Sequence, residues 1–272
     1  MRPIRSVAVL PTLFTLGNLV CGFFAVVVAS RIDKPTQPMP DLTADSYNLM
    51  VSGWLIFLGM VFDALDGYVA RLSRSASEFG KELDSLCDVV TFGVAPAFLL
   101  VKMCPHFALL HKEAAWFIAA SYAACVALRL ARFNVETGED DDHLHFRGLP
   151  SPAAAGVVAS FAIMFYSLRN REEPMLYMPR LDEVLQNLLP IFAVMVALLM
   201  VSRIPYPHIV NQVFRGQRSF GHVVAVVFAL VAIMVIGSYA LPIVLVSFVL
   251  YGPIRLAWRV FVQRREQRGP LF

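Results

Sequence analysis

Long apolar runs, each interrupted by a short polar or charged stretch, recur along nearly the whole chain. A run of about 20 apolar residues matches a hydrocarbon core of about 30 Å, crossed at about 1.5 Å per residue. The pattern predicts eight transmembrane helices, at roughly 10–30, 49–71, 81–103, 114–133, 152–168, 187–202, 222–240 and 242–260. The fifth and sixth are short for that thickness. Gly237, Ser238 and Pro242 predict a tight turn between the last two spans. Pro11 predicts the end of a short interfacial segment beginning at Arg2 and Arg5. The expected fold class is all-α, a polytopic integral membrane bundle of about eight helices forming a single domain over 1–272. No polar stretch is long enough for a soluble accessory domain.

Composition agrees with that picture. The 272 residues are 58% hydrophobic and 16% charged, with a mean hydropathy of +0.64, too apolar for a soluble domain of this length. No small-residue cleavage pattern follows the first apolar run, which is read as a retained span. No internal repeat stands out, which weighs against a transporter built on duplicated halves.

The basic residues orient the bundle. With the N-terminus inside, the cytoplasmic connections carry sixteen Lys and Arg and the opposite side seven. The positive-inside rule therefore puts both termini and the loop between the second and third spans in the cytoplasm of the cell (inner) membrane. The net charge of +3 is too small to point to nucleic acid. Cys21, Cys87, Cys104 and Cys125 contain no C-x-x-C pair, so neither a disulfide framework nor a zinc site is indicated. Cys87 adjoins Asp88 but is turned about 100° away on the helix and is expected to pack. His143 and His145 flank an acidic run from Glu136 to Asp142, which reads as a solvated loop.

The chemistry lies between the second and third spans, where Asp63, Asp66, Asp84 and Asp88 stand inside apolar sequence. A carboxylate at membrane depth costs about 3 kcal/mol, so such a residue marks a functional site by default. Asp63 and Asp66 are i,i+3 and Asp84 and Asp88 are i,i+4, so each pair shares one helix face. Gly67 and Ala70 continue the first acidic stripe, and Gly80 begins the second. Small residues beside carboxylates let a ligand lie close to the backbone. Arg71 and Arg74 end the first helix and suit an anion. Oxygen ligands without His or Cys favour a hard cation such as Mg²⁺ or Mn²⁺. The plainer reading, acids paired with Arg71, Arg74 and Lys81 at a wet helix end, leaves the register of small residues without a purpose.

This stretch resembles the signature of the CDP-alcohol phosphotransferase family, D-x-x-D-G-x-x-A-R-x8-G-x-x-x-D-x-x-x-D. Asp63, Asp66, Gly67, Ala70, Arg71, Gly80, Asp84 and Asp88 occupy all eight fixed positions within 26 residues. Two looser segments resemble the family's phosphatidylserine synthase branch: P-T-L-F-T-L-G-N-L-V-C-G at Pro11–Gly22, and A-R-F-N at Ala131–Asn134 followed by F-R-G-L-P-S-P-A-A-A at Phe146–Ala155. In the first, Thr15 and Asn18 are i,i+3 in an apolar helix, open to either packing or ligand contact. The likeness covers about 150 residues and implies a family core over about 10–202, followed by two further spans within 222–260.

The resemblance implies transfer of a phosphatidyl group from CDP-diacylglycerol to the hydroxyl of L-serine, with release of CMP. It implies Asp63, Asp66, Asp84 and Asp88 as ligands of two divalent ions, Mg²⁺ or Mn²⁺, with Asp88 also a candidate general base. Gly67, Ala70, Arg71 and Gly80 would take the CDP moiety. Arg132, with Arg129 as an alternative, would take the serine carboxylate, because a planar fork suits a planar anion. The partners implied are the two substrates, membrane lipid and a second copy in a homodimer. The rival within the family is another acceptor: glycerol phosphate, inositol phosphate or an aminoalcohol. A divalent cation transporter is the rival outside it.

Overall fold

The computed structural model describes residues 9–32, 42–72, 77–136, 146–170, 178–206 and 237–266. Helix α1 runs Val9–Ser30 and α2 Leu42–Leu72. Helix α3, Glu78–Asp88, passes through a single π-helical stretch, Val89–Val94, into α4, Ala95–Met103. A short α5, Pro105–Leu110, leads to α6, Lys112–Glu136. Helix α7 is Ser151–Arg169 and α8 Met178–Val201. A 3₁₀ turn at Gly237–Tyr239 opens the last helix, α9, Ala240–Glu266.

Among the described residues, seven helical segments are long and apolar enough to cross a membrane: 10–30, 45–70, 78–103, 112–135, 151–169, 180–201 and 237–259. They correspond to seven of the eight predicted spans. The span expected at 222–240 lies almost wholly outside the described residues, as do Arg74 and the acidic loop beyond Glu136.

Cross-contacts set the direction of each helix. At one end of the bundle Lys81 Nζ donates to the Asn134 carbonyl at 3.3 Å, Arg129 Nη1 to Ser151 Oγ at 2.8 Å, and Arg132 Nη1 to the Val201 carbonyl at 2.9 Å. At the other end Lys102 Nζ donates to the Ile32 carbonyl at 2.6 Å, Arg169 pairs with Asp182 at 3.0 Å, and Ser167 meets Ser238. The spans from α1 to α8 therefore alternate in direction, whereas α9 starts at the same end as α8 and runs the same way. The end holding Asp63 and Asp84 collects the termini of α2, α3, α6, α7 and α8.

Helix α7 is the centre of the bundle. Its Ala154, Ala155, Gly156, Ala159 and Ala162 are all buried, small side chains that let α2 and α9 approach closely. Beside the acidic end, two residue pairs form a minimal antiparallel ladder: β1, Phe146–Arg147, against β2, Pro205–Tyr206. Gly148 follows at φ 91°, its amide on the Ile204 carbonyl at 2.9 Å, while Leu149 N–H caps the Leu199 carbonyl at 3.0 Å. The second of these bonds satisfies a backbone acceptor that the last turn of α8 would otherwise leave bare.

The interfacial segment expected from Arg2 and Arg5 lies outside the described residues, and Pro11 is part of α1. Two local expectations are corrected. Pro242 belongs to the first turn of α9, where its missing N–H has no helical acceptor to lose, leaving Gly237–Tyr239 as the turn itself. Helix α8 begins at Met178, well before the apolar run. Asp182 is held there by the Arg169 fork and by Gln186 Nε2 at 2.7 Å, so a charged first stretch is retained in the helix.

Candidate metal centre and substrate site

The acidic centre is built by two helices meeting at one end of the bundle. On α2, Asp63 and Asp66 lie on one face. On α3, Ser77 caps the helix in an extended conformation and accepts the Gly80 amide at 3.0 Å. That cap starts α3 in the register which brings Gly80, Asp84 and Asp88 to a common face. Carboxylate oxygens of Asp63, Asp66 and Asp84 gather within 4.8 Å of one another. Asp66 Oδ2 and Asp84 Oδ1 are buried and have no hydrogen-bond partner among the described residues.

Three carboxylates this close repel, and orphaned buried oxygens cost a further few kcal/mol. A hard cation bonds such oxygens at about 2.0–2.6 Å, so its ligands stand about 4–5 Å apart across the ion. The observed spread and the orphaned oxygens therefore fit a divalent cation.

Asp88 is different. It is buried, one turn deeper along α3, and its Oδ1 accepts Asn18 Nδ2 at 2.9 Å. A hydrogen bond to a charged group contributes about 1.5–3 kcal/mol. The Thr15 hydroxyl, close to Asp66, donates its proton to the Pro11 carbonyl at 3.1 Å. The polar stripe of α1 thus forms the wall of the acidic centre. Sequence reasoning left Thr15 and Asn18 open between packing and ligand contact; both turn out to face the carboxylates. The signal was an Asn and a Thr one turn apart in an otherwise apolar stretch of helix.

The arginines separate. Arg129 is partly buried, donates to Ser151 at the start of α7, and stands close enough to Asp63 and Asp88 for direct Coulomb attraction. Arg132 instead directs Nη1 to the end of α8. Asn134 ties α6 to α3, its Nδ2 on Ser85 Oγ at 2.9 Å. Gly67 and Ala70 are half-buried on α2 beyond the acids, and Gly80 opens the corresponding face of α3. Arg71 lies on the last turn of α2. Cys87 is buried and packs, as expected from its angle on the helix. Burial also pushes the Cys104 thiol, between α4 and α5, well above its ordinary pKa, so it offers no thiolate.

A bundle of membrane-spanning helices with a carboxylate centre at one end defines a polytopic protein whose chemistry is anchored in the bilayer. The model of the CDP-alcohol phosphatidyltransferase family matches residues 8–201, and the chain belongs to that family. Its relatives include the CDP-diacylglycerol–serine O-phosphatidyltransferase of Helicobacter pylori, 32% identical over 76% of this chain and 75% of that protein. The protein of the same name from Methanocaldococcus jannaschii is 33% identical over 79% and 81%. The archaetidylserine synthase of Methanothermobacter thermautotrophicus is 34% identical over 61% and 63%.

Proposed function

We propose that this protein transfers the phosphatidyl group of CDP-diacylglycerol to the hydroxyl of L-serine, giving phosphatidylserine and CMP, with divalent cations held by Asp63, Asp66 and Asp84. The observation that carries the reading is the trio of convergent carboxylates with orphaned oxygens, set beside Asp88 and Arg129. Relatives whose names share serine but differ in the lipid support serine as the acceptor.

In this reading the serine oxygen bonds to the lipid-proximal phosphorus as the bond from that phosphorus to the CMP oxygen breaks. The hydroxyl proton passes to Asp88, and CMP leaves as the anion. Bound divalent ions supply charge neutralisation at the phosphate oxygens and a clamp on attacking and leaving groups. Asp63, Asp66 and Asp84 would hold those ions, with Asp88 beside them to ligate a second ion, to take the proton, or both. Gly67, Ala70 and Gly80 keep the approach to the backbone open for the cytidine end, and Arg71 meets its phosphates. Arg129, braced by Ser151, orients the serine carboxylate so that its hydroxyl points to Asp88. The acidic end faces the cytoplasm, where a nucleotide-activated lipid is made. Residues 8–201 form the catalytic core and α9 is appended to it.

Cation transport is the weaker reading. Among the described residues the acidic centre is confined to one end, while Asp182 at the other is held in an ion pair with Arg169. An acceptor panel tests the proposal. Protein in detergent is given CDP-diacylglycerol and Mn²⁺ or Mg²⁺, and CMP release is followed with serine, glycerol 3-phosphate, inositol and inositol phosphate. Release with serine and not the others is expected. Release with glycerol 3-phosphate and none with serine would overturn the acceptor and leave the family chemistry standing.

A further inference from the structure

Residue 18 is joined twice to the segment 88–91. Its side-chain amide donates to Asp88 Oδ1 at 2.9 Å, and its backbone carbonyl accepts the Thr91 hydroxyl at 2.9 Å. Asn18 and Thr91 are both fully buried. Thr91 lies in the π-helical stretch that begins immediately after Asp88. Such a stretch inserts one residue into a helix and is frequent at functional sites. Here it carries the Thr91 hydroxyl to α1 while Asp88 stays on the acidic face of α3.

The close approach is built by glycines. A Cβ on Gly22 would run into Thr91 Oγ1, and one on Gly59 would lie 2.5 Å from Thr91 Cγ2 and 3.0 Å from Asn18 Oδ1. Asn18 is thus wedged between Asp88 and the α2 backbone, one turn before Asp63. Its amide must present the donor, since the oxygen turned toward Asp88 would set acceptor against acceptor. With Oδ1 of Asp88 engaged, Oδ2 is the oxygen left to face Asp63 and Asp84.

We propose that Asn18, seated by Thr91 and Gly59, is the positioning residue for Asp88, holding one carboxylate oxygen toward the metal centre and the acceptor hydroxyl. Asn18 acts through Asp88 and touches neither substrate. The assignment rests on the role given to Asp88 above.

The test combines metal binding with kinetics in protein purified in detergent. Mn²⁺ binding without substrate is titrated by electron paramagnetic resonance for the wild type, Asn18→Leu, Asp88→Asn and the double variant. The same set is assayed for kcat and for both KM values, with thermal unfolding as the folding control. Loss of an outer hydrogen-bond partner of a metal ligand costs about 10–100-fold in affinity or activity. Asn18→Leu should therefore weaken Mn²⁺ binding and lower kcat by about that factor, leaving the KM for CDP-diacylglycerol within about twofold. Adding Asp88→Asn should cause no further loss beyond that of Asp88→Asn alone. Additive losses in the double variant, or unchanged Mn²⁺ affinity in Asn18→Leu, would overturn the assignment. Should Asn18→Leu not fold, Thr91→Val against Thr91→Ser decides. The valine should repeat the loss in weaker form and the serine should retain wild-type values; equal behaviour of the two overturns the proposal. If the wild type releases no CMP with serine, the proposed function fails, whereas the Mn²⁺ titrations still test the positioning role.

Discussion

Arg129 donates to Ser151 Oγ at 2.8 Å while its guanidinium faces Asp63 and Asp88. One side chain thereby links the end of α6, the start of α7 and the acidic centre. Arg132, three residues on, serves the end of α8. Of the two arginines considered for the serine carboxylate, this geometry favours Arg129.

Arg129→Lys keeps the charge but loses the planar fork. It is expected to raise the serine KM about tenfold or more, with a smaller effect on the KM for CDP-diacylglycerol. Arg132→Lys should act mainly on thermal stability, through the freed Val201 carbonyl. Measuring both KM values and the unfolding temperature for the two variants separates these roles. An equal rise in both KM values for Arg129→Lys would move it to a phosphate contact.

Asp63→Asn and Asp84→Asn should each abolish CMP release while the protein still elutes as a folded species in detergent. Removing one carboxylate from three that repel each other relieves strain, so the thermal midpoint of the cation-free variants should equal or exceed that of the cation-free wild type. Turnover of the wild type in excess chelator should fall to background and return with Mn²⁺. Full activity in chelator would remove the metal from the mechanism.

Orientation can be read with single cysteines in a background lacking the four native ones. Glu78→Cys, exposed at the start of α3, should react with membrane-impermeant maleimide only after the cytoplasmic face is opened. Lys112→Cys, exposed at the start of α6, should react from outside. Reversed labelling would put the acidic centre on the wrong side for a nucleotide-activated lipid.

Gly148→Ala tests the frame around the centre. Gly148 has φ 91°, and a Cβ there would meet the carbonyls of Met200 and Ser202. A residue forced into this region costs about 1–3 kcal/mol. A lower thermal midpoint is expected, measured by fluorescence-detected unfolding. An unchanged midpoint would show that the two-residue ladder is not a stabilising clamp.

Apolar run length was enough to place seven of the predicted spans, because a helix that must cross about 30 Å of hydrocarbon declares itself by composition alone. The acidic signature was equally legible, since i,i+3 and i,i+4 spacings put Asp63 with Asp66 and Asp84 with Asp88 whatever surrounds them. Helix ends were read less well: Pro242 looked like part of a break, yet the first turn of a helix tolerates proline. What only the tertiary structure decided was who faces whom. Asn18 lies 70 residues from Asp88, and nothing periodic connects them. Arg129 and Arg132 are neighbours on one helix whose partners, Ser151 and Val201, arrive from α7 and α8. The division between three convergent carboxylates and a separately held Asp88 likewise depends on how α1, α2 and α3 pack. Local spacing encodes the face a residue occupies, but contacts between faces are made by packing against elements distant in the chain.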